Sequence, residues 1–124
     1  MEKISKEELE KRQEEVIASG NAGDIYFFAC DYNEDANITK LEDAIISTRG
    51  FFDYCRDFAC YVKGANIEKI EDAIIARTNA FQPLTIIEFA RDVKGANIAK
   101  LEDAIIEFGT AEDVYHFAKG VKGA

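Results

Sequence analysis

The feature that most constrains the fold is a phrase that the chain repeats. ANITKLEDAII begins at Ala36, ANIEKIEDAII at Ala65 and ANIAKLEDAII at Ala96, at offsets of 29 and 31 residues. A second phrase, FA followed by Cys, Arg or Lys, recurs at Phe28, Phe58, Phe89 and Phe117. Periods of about 20–50 residues are typical of stacked supersecondary units. The chain is therefore expected to be a tandem array.

The N-terminal stretch belongs to the same series. EEVIASGNAGDIYFFA aligns without a gap on DAIIEFGTAEDVYHFA, with Gly20 on Gly109. The sequence therefore predicts a single domain of 124 residues, built from four consecutive units. The predicted units cover residues of about 1–35, 36–64, 65–95 and 96–124.

Each unit is predicted to be a helical hairpin. Ile38, Leu41 and Ile45 follow the i, i+3, i+7 spacing of one helical face, and the other copies of the phrase keep it. An asparagine stands before each series, where its side-chain oxygen can cap free backbone N–H groups. These asparagines are Asn37, Asn66 and Asn97. The second helix of each unit is expected to bury the phenylalanine of FA.

The segments between units carry turn signals. Lys63-Gly64 and Lys94-Gly95 suit the end of a helix, because glycine can adopt the left-handed conformation that stops it. Pro83 is expected at the first position of a helix, where proline is tolerated. Helices of about ten residues are marginal alone, so neighbouring hairpins must stack to close a core. The predicted fold is all-α, a right-handed α-solenoid of four stacked helical hairpins.

With this period and pattern, the chain resembles the two-helix α-solenoid repeats of the HEAT, armadillo and tetratricopeptide class. It is most similar to short NIxKLEDAII…FAxxVKGA tandem repeats of bacterial and phage proteins. The resemblance implies a module that binds other proteins. In size and charge the chain is also similar to phage-encoded anti-CRISPR proteins, which implies a small acidic inhibitor.

The charge of the chain narrows the class of partner. The formal net charge is −9, and the first 35 residues carry ten acids against four bases. A basic surface is required for phosphate binding, so direct binding of nucleic acid is not expected. A protein partner with a basic surface is expected instead. The polar N-terminus and the lack of a long apolar run predict a cytoplasmic protein without a membrane span.

The residues that could carry chemistry have simpler interpretations, so no enzyme, cofactor or metal site is predicted. His116, the one histidine, aligns with Phe27, a variable position expected at the surface. Cys55 lies on the apolar stripe and is expected to be a buried thiol. Cys30 and Cys60 lack supporting histidines, which makes a zinc site weak, and the odd cysteine count favours reduced thiols.

The repeated Glu-Asp pairs allow two interpretations. Stacked first helices would align them in two acidic columns, which could form a ladder that engages a basic surface. The favoured interpretation is a solvated face, because a lysine recurs beside each pair. The pairs are Glu42-Asp43, Glu71-Asp72 and Glu102-Asp103, with Lys40, Lys69 and Lys100.

Two further groups are the candidate partner-binding residues. One group is acidic and lies at the end of the first predicted repeat, after its second helix. The other group is mainly aromatic and is expected in the turns within hairpins, whose lengths vary. The candidates are Asp31, Glu34, Asp35, Phe51, Phe52, Asp53, Phe81 and Phe108. The predicted function is non-enzymatic protein binding. The alternative is a structural or self-associating repeat, with a homodimer or a fragment of a longer array left open.

Overall fold

A computed structural model describes residues 4–77 and 83–124. These ranges contain helices and no strand, which confirms the all-α prediction. The helices are α1 (Lys6–Ser19), α2 (Ala22–Asp31), α3 (Ile38–Ile46), α4 (Phe51–Tyr61), α5 (Ile67–Arg77), α6 (Pro83–Asp92), α7 (Ile98–Phe108) and α8 (Ala111–Gly120).

The chain divides into two compact units, Met1–Ala65 and Asn66–Ala124, each of which contains two of the four predicted repeats. The names first unit and second unit refer to these two from here on. In the first unit α1 packs on α2 and α3, α2 packs on α3 and α4, and α3 packs on α4. The second unit has the same arrangement, with α5 to α8 in the places of α1 to α4. Each unit therefore holds two hairpins side by side, first helix against first helix and second against second.

The predicted helix starts are confirmed. The Oδ1 atoms of Asn37, Asn66 and Asn97 each accept a hydrogen bond of 3.1 Å from the backbone N–H three residues later. This bond satisfies one of the free donors that every helix N-terminus carries. Pro83 is the first residue of α6, as predicted.

The apolar stripes form the core that the sequence predicts. Ile45, Ile74 and Ile105 are fully buried in the first helices of three hairpins. Fully buried phenylalanines of the second helices lie at Phe58, Phe89 and Phe117. Phe28 departs from this pattern because it is only half-buried, with its ring centroid 4.8 Å from that of Tyr32. The expectation that Phe28 is a full core residue is corrected.

The turn after α4 shows why the phrase VKGA recurs. Val62 leaves the helical conformation, and the backbone N–H of Ala65 donates to the carbonyl of Val62 at 3.3 Å. Gly64, the third residue of this turn, has φ of +88°, as in a type II β-turn. The Val93–Ala96 turn repeats this geometry. Glycine is needed there because other residues rarely adopt a positive φ.

Replacing Gly64 with alanine is therefore expected to lower the free energy of unfolding by about 1–2 kcal/mol. The strain is confined to the backbone, because the nearest atom that an added Cβ would meet is Ile38 Cγ2 at 4.0 Å. Urea denaturation measures the change. Gly120→Ala is the control, since Gly120 ends α8 without a positive φ and faces open space. Equal effects of the two substitutions would contradict this explanation.

A side chain of α1 fixes the start of the next hairpin in the first unit. The backbone N–H of Asn37 donates to Oε1 of Gln13 at 2.9 Å, and Gln13 is buried. Beside this bond, Nζ of Lys40 donates to Oε1 of Glu14 at 2.6 Å. The hairpin junction thus combines a buried acceptor for the asparagine N–H with an exposed ion pair.

The second unit contains the same junction with acids at both positions. The backbone N–H of Asn97 donates to the carboxylate of Glu71, and Lys100 donates to the carboxylate of Asp72. These pairs align with those of the first unit, Glu71 on Gln13 and Asp72 on Glu14. Two independent occurrences show that the junction belongs to the repeat.

The junction corrects one expectation about the acidic columns. Glu42 and Glu71 were expected on a solvated face, but each is only 2% exposed. For Glu71 the reason is its bond to the Asn97 N–H, which compensates the desolvation of the carboxylate. The aspartates of the second column are exposed, as expected. They are Asp43, Asp72 and Asp103.

Candidate partner-binding site

The structure places the three acidic candidates around one cleft of the first unit. Asp31, Glu34 and Asp35 are all exposed and line an open cleft of about 790 Å³. The start of α1 forms one wall with Ile4, and Lys63 after α4 contributes to the rim. The acidic group that the sequence predicted is thus a contiguous surface, which is called the acidic cleft below.

The turn that carries these acids is held by bonds to two other segments. The side chain of Asn33 donates to the carbonyl of Lys63 at 2.9 Å and accepts from its N–H at 2.8 Å. Nη1 of Arg12 donates to the hydroxyl of Tyr32 at 3.2 Å, which fixes the turn to α1. The backbone N–H of Ala36 closes the turn on Tyr32 at 2.8 Å. The carboxylates therefore stand on a preorganised turn, which lowers the ordering cost of binding.

The acids of the cleft differ in whether they already have partners. In residues 4–77 and 83–124 no ion pair involves Asp31, Glu34 or Asp35. By contrast, Glu8 pairs with Arg12 at 3.0 Å, and Glu14 pairs with a lysine of α3. The acids of the cleft therefore differ from Glu8 and Glu14 in having no cationic partner within the described ranges.

A neighbouring groove of about 570 Å³ extends the acidic surface along α1. It shares Lys6, Leu9 and Asp35 with the acidic cleft and adds Glu7 and Glu10. The two depressions therefore form one surface of the first unit in which carboxylates outnumber lysines.

Phe51, Phe52 and Asp53 do not line this surface. Phe51 has 0% exposure, so its prediction as a partner contact is corrected. The residue was assigned to a turn, but it is the first residue of α4 and packs into the core. Phe52 is half-buried beside it, with ring centroids 5.5 Å apart, and Asp53 is exposed in the first turn of α4. These residues begin α4, roughly 15 Å along the helix from its end near Lys63.

Two candidates remain, Phe108 and Phe81. Phe108 ends α7 in the second unit and is 40% exposed. Phe81 lies outside the described residues. Among the candidates, Asp31, Glu34 and Asp35 line the acidic cleft.

The sequence did not predict an aromatic cluster between α2 and α4. The ring centroid of Tyr26 lies 5.2 Å from that of Phe27 and 5.7 Å from that of Tyr54. Phe27 is 58% exposed, and burial together with a hydrogen bond to Cys30 raises the pKa of Tyr26. Gly23 makes room for this cluster, because a Cβ there would lie 2.9 Å from the Tyr54 hydroxyl. Two adjacent aromatics, Tyr26 and Phe27, were the available signal.

The potentially reactive groups occupy the places that the sequence predicted. Burial raises the pKa of Cys55 to about 12, so its thiol stays protonated at neutral pH. His116 is exposed on α8, with Nε2 3.5 Å from Oε1 of Glu112. The described ranges contain no cluster of three metal-ligating side chains. Cys30 is half-buried and Cys60 exposed, and neither forms a disulfide.

Comparison with known proteins gives no match to a family model, to a curated protein or to a solved structure. Between residues 4 and 77 and between 83 and 124, no helix is long and apolar enough to cross a lipid bilayer.

Proposed function

We propose that this chain is a non-enzymatic helical-repeat module that binds a protein partner through the acidic cleft of its first unit. The observation that carries the proposal is the fixed turn bearing Asp31, Glu34 and Asp35. Their carboxylates are exposed and take part in no ion pair within the described ranges. Such a surface attracts lysine and arginine side chains over long range and fixes their position at contact.

The partner surface in this proposal is a basic one that otherwise binds nucleic acid. The chain then acts as a small acidic inhibitor that occupies that surface, as anti-CRISPR-like proteins do. The net charge of −9 and the concentration of acids in the first 35 residues support this choice. Lysine and arginine side chains that contact phosphates in the free partner contact carboxylates in the complex.

The proposed architecture is one right-handed solenoid of four hairpins. Its support is the sequence repeat, together with the identical packing of two hairpins within each compact unit. Small-angle scattering tests the proposal, because two units that move independently give a broader distance distribution than a rigid stack.

The triple variant D31N/E34Q/D35N is expected to weaken binding of an octalysine peptide about fivefold at low salt. This estimate takes roughly 0.3 kcal/mol for each exposed charge pair. Isothermal titration calorimetry at about 50 mM and about 200 mM salt measures it, and the difference is expected to shrink at the higher salt. Circular dichroism confirms that the variant keeps its fold.

The control variant E68Q/E107Q/E112Q removes the same number of charges from exposed positions of the second unit. It is expected to change the affinity less than twofold. If both variants weaken binding equally, octalysine responds to net charge and the acidic cleft is not a site. In a pull-down from host lysate treated with nuclease, a partner retained equally by wild type and the triple variant would also contradict the proposal.

A second candidate function is a structural repeat that associates through the end of its second unit. Exposed apolar residues on the last hairpin favour this candidate. Sedimentation analysis separates it from the first, since a monomer at high concentration excludes self-association. That exposed surface also supports a more specific inference.

A further inference from the structure

The outer face of the last hairpin exposes positions that the preceding hairpin of the same unit buries. Val114 is half-buried and Ala118 is exposed on α8, whereas their counterparts on α6, Ile86 and Ala90, are buried. Tyr115 is 58% exposed at the position that a buried isoleucine occupies on α6. The positions that are buried on α6 therefore lie at or near the surface on α8.

An acidic pair on α7 accompanies this apolar surface. Glu102 and Asp103 align with Glu71 and Asp72, the acids of the junction in the same unit. In the part of the chain that the structure describes, the side chains of Glu102 and Asp103 take part in no hydrogen bond or ion pair. Glu102 shares one side of α7 with Ile106, four residues on, which is 57% exposed. The acceptor and the apolar residues thus belong to one face.

The junction within the second unit shows what this kind of face binds. The buried carboxylate of Glu71 accepts the backbone N–H of Asn97, and Asp72 pairs with Lys100 at the start of α7. The first unit repeats the arrangement with Gln13 as the buried acceptor. In both cases the bound group is the N-terminal turn of an amphipathic helix that begins Asn-x-x-Lys.

We propose that the outer face of α7 and α8 binds the N-terminal turn of a helix that begins Asn-x-x-Lys, as a further repeat hairpin would supply. Glu102 accepts the backbone N–H of the asparagine, and Asp103 pairs with the lysine. Ile106 and Tyr115 cover the apolar stripe of the bound hairpin. This site is separate from the acidic cleft and does not depend on it.

A second folded copy of the chain does not supply a helix start of this kind to the face. The asparagine N–H groups of Asn37 and Asn97 are already bound within their own units, and Asn66, before α5, is not without a partner either. The start of α1 has no asparagine cap and carries Glu7 and Glu8 in its first turn, which would meet the acids of α7 with like charge. A separate Asn-x-x-Lys hairpin is complementary in both hydrogen bonding and charge.

Binding of a synthetic peptide with the sequence of residues 96–124 to the full chain tests the proposal by calorimetry. Glu102→Ala in the full chain, with the peptide unchanged, is expected to weaken binding about tenfold. The asparagine N–H of the peptide then loses its acceptor. Glu102→Gln is expected to stay within about twofold of wild type, because Gln13 performs this role in the first unit. Glu107→Gln, an exposed position on another side of α7, is the control and is expected to have no effect.

The pattern of these variants decides between outcomes. If Glu102→Gln weakens binding as much as Glu102→Ala, general charge attraction accounts for the binding and the proposal fails. If the isolated peptide does not fold, a chain extended after Ala124 by a second copy of residues 97–124 takes its place in the test. Tethering raises the effective concentration of the added hairpin. Glu102→Ala should then lower the melting temperature of the extended chain and leave that of the 124-residue chain unchanged.

Two further results would overturn the proposal. The first is an equal effect of Glu102→Ala on the extended and the unextended chain. The second is a dimer of the chain alone, seen by sedimentation and abolished by Tyr115→Lys, which would make a second copy the occupant of this face.

Discussion

Replacing Phe58 with alanine is expected to lower the free energy of unfolding by about 3–5 kcal/mol. The ring is fully buried in the first unit, on α4, which packs against α2 and α3. Removing it costs the transfer free energy of the ring and leaves a cavity that the rigid neighbours fill only in part. Urea denaturation followed by circular dichroism measures the change.

Two variants keep this prediction testable if Phe58→Ala fails to fold. Phe58→Leu retains most of the volume and is expected to cost less than about 1.5 kcal/mol. Phe27→Ala removes a ring that is 58% exposed but contacts Tyr26, and it is expected to change the free energy of unfolding by less than about 1.5 kcal/mol. A Phe58→Ala effect as small as that of Phe27→Ala would contradict the packing described for α4.

Replacing Glu71 with alanine is expected to lower the free energy of unfolding by about 1–3 kcal/mol. The substitution leaves the backbone N–H of Asn97 without its acceptor in a buried junction. Glu71→Gln is expected to cost less than about 1 kcal/mol, because an amide oxygen serves the same N–H in the first unit. Thermal and urea denaturation of both variants measure the difference.

Asp72→Asn is the matched control for Glu71→Ala. Asp72 is adjacent in sequence and pairs with Lys100, but it is exposed, so its ion pair is worth about 0–1 kcal/mol. Similar small losses for Glu71→Ala and Asp72→Asn would mean that the junction carries no special stability.

The helices could be predicted from the sequence because their signals are local. Asn37 and Asn97 cap helices, Pro83 begins one, and Gly64 and Gly95 lie in turns at positive φ, all as the residue types indicate. Each of these signals acts within four residues of the chain. The period of the apolar residues then determined which face of each helix enters the core.

The buried acids could not be predicted from residue type alone. Glutamate is almost never fully buried unless it is paired, and the partner of Glu71 is a backbone N–H 26 residues away. Backbone donors leave no trace in a sequence. The available signal was the recurrence of Glu42, Glu71 and Glu102 at one register, each directly after a buried apolar residue, which is Leu41, Ile70 or Leu101.

The acidic cleft was partly predictable and the aromatic site was not. Asp31, Glu34 and Asp35 come together because five consecutive residues carry all three around one turn. Phe51 was placed in a turn because Gly50, the residue that precedes α4, has no side chain to cap it. Without that signal the start of α4 was set too late, and a core residue was counted as a surface one.

Amide hydrogen exchange tests the central claim most directly, that a side chain of the preceding first helix holds the start of the next hairpin in each unit. The backbone N–H groups of Asn37 and Asn97 should exchange as slowly as core amides such as that of Ile105, although both residues are exposed and precede their helices. Exchange as fast as that of the exposed turn residue Gly95 would contradict the account.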